Sequence, residues 1–159
     1  MPSSAQTEVQ VHLRGVHLCC GGCTSAVDDA VAGVVGARSR CDLDAGTVAV
    51  VARDRDAARK ALDAIADAGL HGGSDDPTLT MRTESHLPPG EVQKLTVFGV
   101  HNCCDLCRDA IKGAVASVPG VAGTTVQAGE TSFDVVGRFS AAELLRSLNA
   151  AGFHARVKT

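Results

Sequence analysis

Residues 15–23 read Gly15-Val16-His17-Leu18-Cys19-Cys20-Gly21-Gly22-Cys23, and a second copy of this string decides the fold. The copy, at residues 99–107, reads Gly99-Val100-His101-Asn102-Cys103-Cys104-Asp105-Leu106-Cys107. Both copies follow the pattern Gly-Val-His-x-Cys-Cys-x-x-Cys, and together they hold six of the seven cysteines. Because a thiolate is both a soft ligand and a strong nucleophile, three cysteines beside a histidine indicate soft-metal or thiol chemistry.

The repetition extends beyond the cysteines. Gly36 matches Gly120, and the pair Ala68-Gly69 matches Ala151-Gly152 with one residue lost in between. The repeat is longer than the roughly 20–50 residues of a solenoid unit, so each copy is a whole small domain. We predict one domain at residues 8–73, a proline-containing linker at 74–90 and a second domain at 91–158.

Hydrophobic periodicity predicts the same order of elements in each half. Val9, Val11 and Leu13 alternate with polar residues as in a half-buried strand, and helical spacing follows the cysteine string. Each half therefore reads strand-helix-strand-strand-helix-strand, with last strands that begin at Leu70 and Phe153. Two helices on one face of a four-stranded antiparallel sheet would bury every apolar face. We predict an α+β fold of two tandem ferredoxin-like βαββαβ domains.

The cysteine string lies between the first strand and the first helix of each half. Unpaired N–H groups and the positive end of the helix dipole favour an anion there, so thiol pKa values fall. Two cysteines three positions apart across such a turn can aim both sulfurs at one point. This spacing makes Cys20 with Cys23, and Cys104 with Cys107, the candidate ligand pairs.

Four other residues of the strings have two interpretations each. Cys19 and Cys103 either add a third sulfur or act as spacers beside the true pair. His17 and His101 either add a nitrogen ligand or only shape and support the loop. Because all four recur, we include them among the candidate metal ligands.

The element order, with a Gly-x-x-Cys-x-x-Cys-type loop after the first strand, resembles the heavy-metal-associated (HMA) domain family. That family includes copper chaperones, N-terminal modules of metal-exporting P-type ATPases and mercury-binding proteins. The resemblance covers both halves, and it maps the family's metal-binding cysteines onto Cys20, Cys23, Cys104 and Cys107. It further implies that the residue after each Ala-Gly pair lies near the metal loop. Those residues, Leu70 and Phe153, are apolar and suited to shielding a site.

The sequence departs from the family at one position of each loop. Where the family often has Met two places before the first cysteine, this chain has Leu18 and Asn102. We expect Val16 and Val100 to fill the apolar role instead, with a longer loop after them.

We expect soft-metal binding and transfer of the copper-chaperone type, with one thiophilic ion in each domain. Two or three thiolates in a partly exposed loop favour Cu(I), while Zn(II), Cd(II) and Hg(II) remain alternatives. The expected partner is a metal-donor or metal-acceptor protein, such as a P-type ATPase metal domain. Alternative functions are a thiol-disulfide redox protein, a Zn/Cd/Hg-binding detoxification protein and a structural zinc module. Since no acid/base pair, phosphate-binding loop or catalytic triad stands out, we expect no enzymatic activity.

The rest of the sequence adds smaller expectations. Cys41 lies on the apolar face of a strand and is expected to pack in the core, whereas His71 and His154 should face solvent or a polar surface, and His12 and His86 should be solvated. A net charge of −3 without basic clusters argues against nucleic acid. The sequence has no signal-like start and no run of 18 apolar residues, so we expect no stable membrane insertion. We expect a cytoplasmic protein, or a periplasmic one where a signal peptide has been removed.

Overall fold

The computed structural model describes residues 8–84 and 86–158, which form two domains of the same architecture. The N-terminal domain contains β1 (Val9–Arg14), α1 (Gly21–Ala32), β2 (Ala37–Asp42), β3 (Thr47–Ala52), α2 (Arg55–Asp67) and β4 (Gly73–Ser74). The C-terminal domain contains β5 (Glu91–Phe98), α3 (Asp105–Ala116), β6 (Val121–Thr124), β7 (Phe133–Ser140), α4 (Ala141–Ala150) and β8 (Arg156–Lys158).

Each domain has one four-stranded antiparallel sheet, in the order β2-β3-β1-β4 or β6-β7-β5-β8. In the first sheet, Val11 lies opposite Val50 and Leu13 opposite Val48, and all four side chains are buried. Alternation along the strands therefore places one apolar face under the helices, as the sequence indicated. This strand order with two helices is the ferredoxin-like βαββαβ fold, so the predicted fold class is confirmed.

Local sequence signals explain where the helices begin. The Asp54 side chain accepts a hydrogen bond from the Ala57 N–H at 2.8 Å, and the Ser140 hydroxyl accepts one from the Glu143 N–H at 3.3 Å. Both are N-caps that satisfy an otherwise unpaired helical donor. Helix α1 begins without such a bond, since its N-cap residue is Cys20 and a thiol is only a weak hydrogen-bond acceptor.

The last strand of each domain begins later than the periodicity predicted. Strands β4 and β8 start three residues after Leu70 and Phe153, at Gly73 and Arg156. Leu70 and Phe153 instead form an antiparallel bridge with each other, across the two domains, and both are fully buried. Leu70 and Phe153 are therefore buried at the contact between the domains and are not part of a strand in their own sheets.

The same contact overturns the expectation for His71 and His154. Their backbone N–H groups donate across the interface, from His71 to the Gly152 carbonyl at 2.9 Å and from His154 to the Gly69 carbonyl at 3.0 Å. Their rings stack with centroids 6.0 Å apart, and His154 is 2% exposed. The prediction that these histidines face solvent or a polar surface is wrong for His154, which the domain contact buries, and His71 is partly buried by the same contact.

Two glycines make this contact close enough for backbone hydrogen bonds. Gly69 and Gly152 have positive φ values of 89° and 98°, which a side chain disfavours. A Cβ on Gly69 would come within 2.6 Å of the Gly99 carbonyl oxygen, and a Cβ on Gly152 within 2.6 Å of the Gly15 oxygen. Each Ala-Gly turn therefore lies directly against the cysteine loop of the opposite domain.

The predicted linker packs against the N-terminal domain for part of its length. Leu79 and Met81 are buried, and Arg82 forms ion pairs with Asp63 and Asp67 of α2. The Arg55 guanidinium also donates a hydrogen bond to the Thr78 hydroxyl at 2.6 Å.

Among the helices of the described residues, none combines the length and the apolar character that crossing a membrane requires.

The glycine contacts predict that Gly152→Ala separates the two domains while each domain stays folded. The added methyl group has no space beside the Gly15 carbonyl and the His17 amide, so the bridge between Leu70 and Phe153 should open. Small-angle X-ray scattering should show a larger radius of gyration than for the unmodified protein.

Gly90→Ala is the matched control for this change. Gly90 also has a positive φ, of 71°, so the substitution carries the same kind of backbone penalty, on the order of 1 kcal/mol. No atom lies within 4 Å of its Cβ position, so it should leave the scattering unchanged. Equal radii of gyration for all three proteins would contradict the proposed role of Gly152.

Candidate metal centre

Each cysteine loop is anchored at its start by a buried valine. Val16 is 4% exposed and Val100 is 1% exposed, as expected for the residues that replace the family's apolar position. The Val16 N–H donates to the Gly46 carbonyl at 3.0 Å, and the Val100 N–H donates to the Thr131 carbonyl at 3.3 Å. These bonds join each loop to the segment that connects the second and third strands of its own domain. The first helix of the domain begins directly after the loop.

The six loop cysteines form one cluster that both domains share. Sγ–Sγ contacts cross the domain interface at Cys19–Cys104 (3.5 Å), Cys19–Cys107 (3.6 Å), Cys20–Cys103 (3.8 Å) and Cys23–Cys107 (3.8 Å). All six are free thiols. The sequence suggested a separate site in each domain, but the docking of the domains brings the two sets of sulfur atoms together.

Within each domain, the first cysteine of the string approaches the third. The Sγ atoms of Cys19 and Cys23 lie 3.5 Å apart, and those of Cys103 and Cys107 lie 3.7 Å apart. These spacings of four residues place both side chains on the same side of the helix start. Cys19 and Cys103 therefore lie inside the cluster and are not spacers outside it.

The predicted ligand pairs are arranged differently in the two domains. Cys104 and Cys107 are in contact, with their Sγ atoms 4.0 Å apart. Cys20, in contrast, has its sulfur contact with Cys103 of the other domain. The pairing of Cys20 with Cys23 expected from the spacing is replaced by this contact between domains.

His17 and His101 also face the cluster. Each belongs to a set of four residues whose potential ligand atoms all lie within 4.8 Å of one another. Among the described residues, neither buried Nε2 atom has a hydrogen-bond partner. A buried imidazole nitrogen without a partner is costly, and coordination of a metal would remove that cost.

Three such sets of potential ligands occur, and they overlap. The first set contains His17, Cys19, Cys23 and Cys107; the second contains Cys19, Cys20, Cys103 and Cys104; the third contains Cys23, His101, Cys103 and Cys107. Every set takes ligands from both domains. A soft metal ion could be held in any of them by three or four donors.

Phe153 shields the cysteine loop of the other domain rather than that of its own. Its ring stacks on His17 with the centroids 4.6 Å apart. The resemblance correctly implied an apolar residue near a metal loop, but the loop belongs to the opposite domain. This stacking restricts the orientation of the His17 ring.

A hydrogen bond joins the two central cysteines, Cys23 and Cys107, whose Sγ atoms lie 3.8 Å apart. A hydrogen bond from Cys107 lowers the pKa of Cys23, and the same interaction raises the pKa of Cys107. The neighbouring His101 ring also lowers the pKa of Cys23. The centre of the cluster therefore carries negative charge at neutral pH, which attracts a cation.

The outer cysteines differ in charge and in exposure. Burial raises the pKa of Cys19 and raises that of Cys103 to about 12, so both thiols are protonated at neutral pH. The Cys107 backbone N–H at the start of α3 lowers the pKa of Cys104 to about 7. Cys23 and Cys107 are fully buried, whereas Cys103 is exposed and Cys104 is half-buried. The cluster thus has a buried centre and an accessible edge.

Two further residues support the site, and neither role was evident from the sequence. The buried Asn102 side chain donates to the Gln127 carbonyl at 2.7 Å and to the Glu130 carbonyl at 2.8 Å, which fixes the second loop. A Cβ on Gly22 would lie 3.2 Å from the Cys103 sulfur, so this glycine leaves room for the opposite loop. Repetition could not identify them, because the second copy has Leu106 where the first has Gly22.

Cys41 lies outside the cluster. It is partly buried, and its thiol donates to the Asp28 carboxylate at 3.6 Å. Burial and the nearby carboxylate raise the pKa of Cys41 to about 12. His12 and His86 are exposed as predicted, and the His12 Nδ1 atom lies 3.3 Å from an Asp75 carboxylate oxygen.

Comparisons with known proteins give only distant similarities. No family model matches the chain, and no curated protein matches it. A structure reported as "Crosstalk between Cu(I) and Zn(II) homeostasis" is 29% identical, with 42% of this chain and 96% of that chain covered and a TM-score of 0.35.

Two other solved structures resemble the whole chain. The N-terminal soluble domains of Bacillus subtilis CopA are 14% identical, with 96% of this chain and 95% of that chain covered and a TM-score of 0.33. The first two RRM domains of a yeast poly(U)-binding protein are 9% identical, with coverages of 94% and 98% and a TM-score of 0.28. TM-scores this low carry no argument about function, which must come from the site itself.

The hydrogen bonds of Asn102 predict a measurable loss of stability in Asn102→Ala. The change leaves the carbonyls of Gln127 and Glu130 without their buried donor, which should lower the free energy of unfolding by about 1–3 kcal/mol. Urea denaturation of the reduced, metal-free protein measures this difference.

The control is Gln127→Ala, since the exposed Gln127 side chain takes no part in these bonds and only its carbonyl does. This control should stay within about 0.5 kcal/mol of the unmodified protein. Equal midpoints for Asn102→Ala and Gln127→Ala would show that Asn102 does not anchor the loop.

Proposed function

We propose that this protein binds thiophilic metal ions at the shared cysteine cluster and transfers them to thiol ligands of a partner protein. One observation carries the proposal: six reduced cysteines from two domains converge, with Sγ–Sγ contacts of 3.5–4.0 Å. Bringing so many thiols together, with negative charge at their centre, is unfavourable without a cation to bind.

The cargo that we propose first is Cu(I), as in the heavy-metal-associated domains that the sequence resembles. Cu(I) accepts two or three soft ligands, and the cluster offers several such combinations of thiolates. The proposed partner is a metal-donor or metal-acceptor protein of the same chemistry, such as a metal domain of a P-type ATPase. The role is binding and transfer rather than catalysis.

Transfer would proceed by ligand exchange at the accessible edge of the cluster. The fully buried Cys23 and Cys107 hold the ion, while the more exposed Cys20, Cys103 and Cys104 exchange with an incoming thiolate. Because a new sulfur binds before an old one leaves, the ion is never free. Thiolates are the reactive form in such exchange, and the lowered pKa of Cys104 makes it the readiest ligand to take part.

A thiol-disulfide function is the second candidate, favoured by one contact. The Sγ atoms of Cys20 and Cys103 lie 3.8 Å apart near the surface, so oxidation could join the two domains. The two candidates differ in what they require. Metal binding needs reduced thiols and consumes no oxidant, whereas a redox enzyme would turn over a disulfide substrate in the absence of metal.

The first test is competition for Cu(I) between the reduced protein and a chromogenic chelator, under anaerobic conditions. Cys23→Ser should weaken Cu(I) binding at least about tenfold, which is about 1.4 kcal/mol, because a buried central ligand is lost. Cys41→Ser removes a cysteine outside the cluster and should bind as the unmodified protein does. Failure of the unmodified protein to retain Cu(I) would overturn the proposed function.

Ligand exchange makes a separate kinetic prediction. Cys104→Ser should slow the transfer of Cu(I) to a thiol acceptor more than it lowers the equilibrium affinity, since Cys104 lies at the accessible edge. Stopped-flow transfer to a dithiol acceptor, compared with chelator competition, measures both quantities. Equal losses in rate and in affinity would argue against an exchange role for Cys104.

A further inference from the structure

The three overlapping sets of potential ligands are related by the internal repeat. Exchanging each residue for its counterpart in the other copy converts the first set into the third. The same exchange converts the second set, which contains two cysteines of each domain, into itself. Three positions arranged in this way form one symmetric group: a central position on the pseudo-twofold axis and two equivalent positions beside it.

The sets also share ligands in a regular way. Cys19 joins the first set to the second, Cys103 joins the second to the third, and Cys23 and Cys107 both join the first to the third. Only Cys20, Cys104 and the two histidines belong to a single set. Four shared sulfurs and four unshared ligands supply three positions with four donors each.

We propose that the cluster binds three divalent ions of the zinc group, bridged by the thiolates of Cys19, Cys23, Cys103 and Cys107. The proposal rests on the proposed metal-binding function and extends it to a second class of cargo beside Cu(I). Its outer positions have one nitrogen and three sulfur donors, and its central position has four sulfur donors. Both are donor sets that Zn(II) and Cd(II) accept in tetrahedral sites.

The distances agree with this coordination. A tetrahedral ion with Zn–S bonds of about 2.3 Å separates its sulfur ligands by about 3.8 Å. The Sγ–Sγ contacts between cysteines of the same set run from 3.5 to 3.8 Å, both within and between the domains, and all ligand atoms of a set lie within 4.8 Å of one another. The unpartnered Nε2 atoms of His17 and His101 supply one nitrogen for each outer position.

Charge balance favours three divalent ions over three monovalent ones. Six thiolates carry six negative charges, and two neutral imidazoles add none, so three divalent ions leave the cluster neutral. Three Cu(I) ions balance only three thiolates, so a neutral site with fully buried central sulfurs would have to keep protons on three of its thiols. Burial of an unbalanced charge is costly, whereas a neutral cluster avoids that cost. Protons held by the thiols pass to solvent as the ions bind.

Native mass spectrometry of the reduced full-length protein, titrated with Zn(II), tests the number of ions. We expect a species with three Zn(II) per chain, and we expect the same number in Cys41→Ser, which removes the one cysteine outside the cluster. A maximum of two ions per chain would overturn the proposal, and so would loss of the third ion in Cys41→Ser.

Cadmium-113 NMR of the Cd(II)-loaded protein tests the bridging. Shared thiolates should produce three resonances with scalar couplings between cadmium nuclei, two of them from NS₃ positions and one from the S₄ position. Three resonances without cadmium–cadmium coupling would overturn the bridged cluster. This measurement uses the unmodified protein. It therefore tests the bridging even if substitution of a buried cysteine prevents folding.

A parallel Cu(I) titration separates the two proposals. If Cu(I) binds but Zn(II) and Cd(II) do not reach three ions, the bridged divalent cluster is wrong and the proposed function stands. If neither Cu(I) nor a divalent ion is retained, both are wrong.

Discussion

The close docking of the two domains is the constraint on which the site depends. At its centre are two glycine carbonyls, each of which accepts hydrogen bonds from the opposite domain. The Gly152 carbonyl accepts from the N–H groups of His17 and His71, and the Gly69 carbonyl accepts from those of His101 and His154. Each carbonyl therefore binds two segments of the opposite domain: its cysteine loop and the segment that follows its second helix. Without these bonds the two cysteine loops would lose the backbone contacts that hold them against the opposite domain.

Docking changes the electrostatics of the cysteines. A single loop with three cysteines could expose its thiols to water, but the joined loops bury Cys23 and Cys107 completely. Burial disfavours several thiolates at once and helps to raise the pKa values of Cys19, Cys103 and Cys107, whereas the lowered pKa of Cys23 favours its thiolate. A bound metal ion would replace the protons of those thiols and remove the repulsion between thiolates. The same contact thus buries the centre of the site and leaves Cys103 exposed.

The sequence was sufficient to predict the order of helices and strands and to identify the cysteines of the site. Alternation in β1 and helical spacing in α2 reflect burial within one domain, and such periodicity can be read locally. The exact repetition of the cysteine string likewise identified the residues that now lie together. Even the importance of the residue after each Ala-Gly pair was visible, since Leu70 and Phe153 are apolar at matching positions.

The relation between the domains was not visible, for a physical reason. A contact between two copies of a fold uses residues that also fit a single copy, so Leu70 could be assigned to its own sheet equally well. Strand alternation predicts that His71 and His154 point away from whatever Leu70 and Phe153 contact, toward solvent or a polar surface, yet their rings stack in the interface. The role of Gly152 depends on the Gly15 carbonyl of the other domain, and no local pattern encodes that distance.

The most direct test of the central claim is a measurement of domain docking in the reduced, metal-free protein. Nuclear Overhauser effects between the backbone protons of Leu70 and Phe153 report this contact without involving the cysteines. We predict cross-peaks between these two residues, together with a single rotational correlation time for both domains. Missing cross-peaks, with separate correlation times for the two domains, would contradict a shared cysteine cluster as the basis of the site.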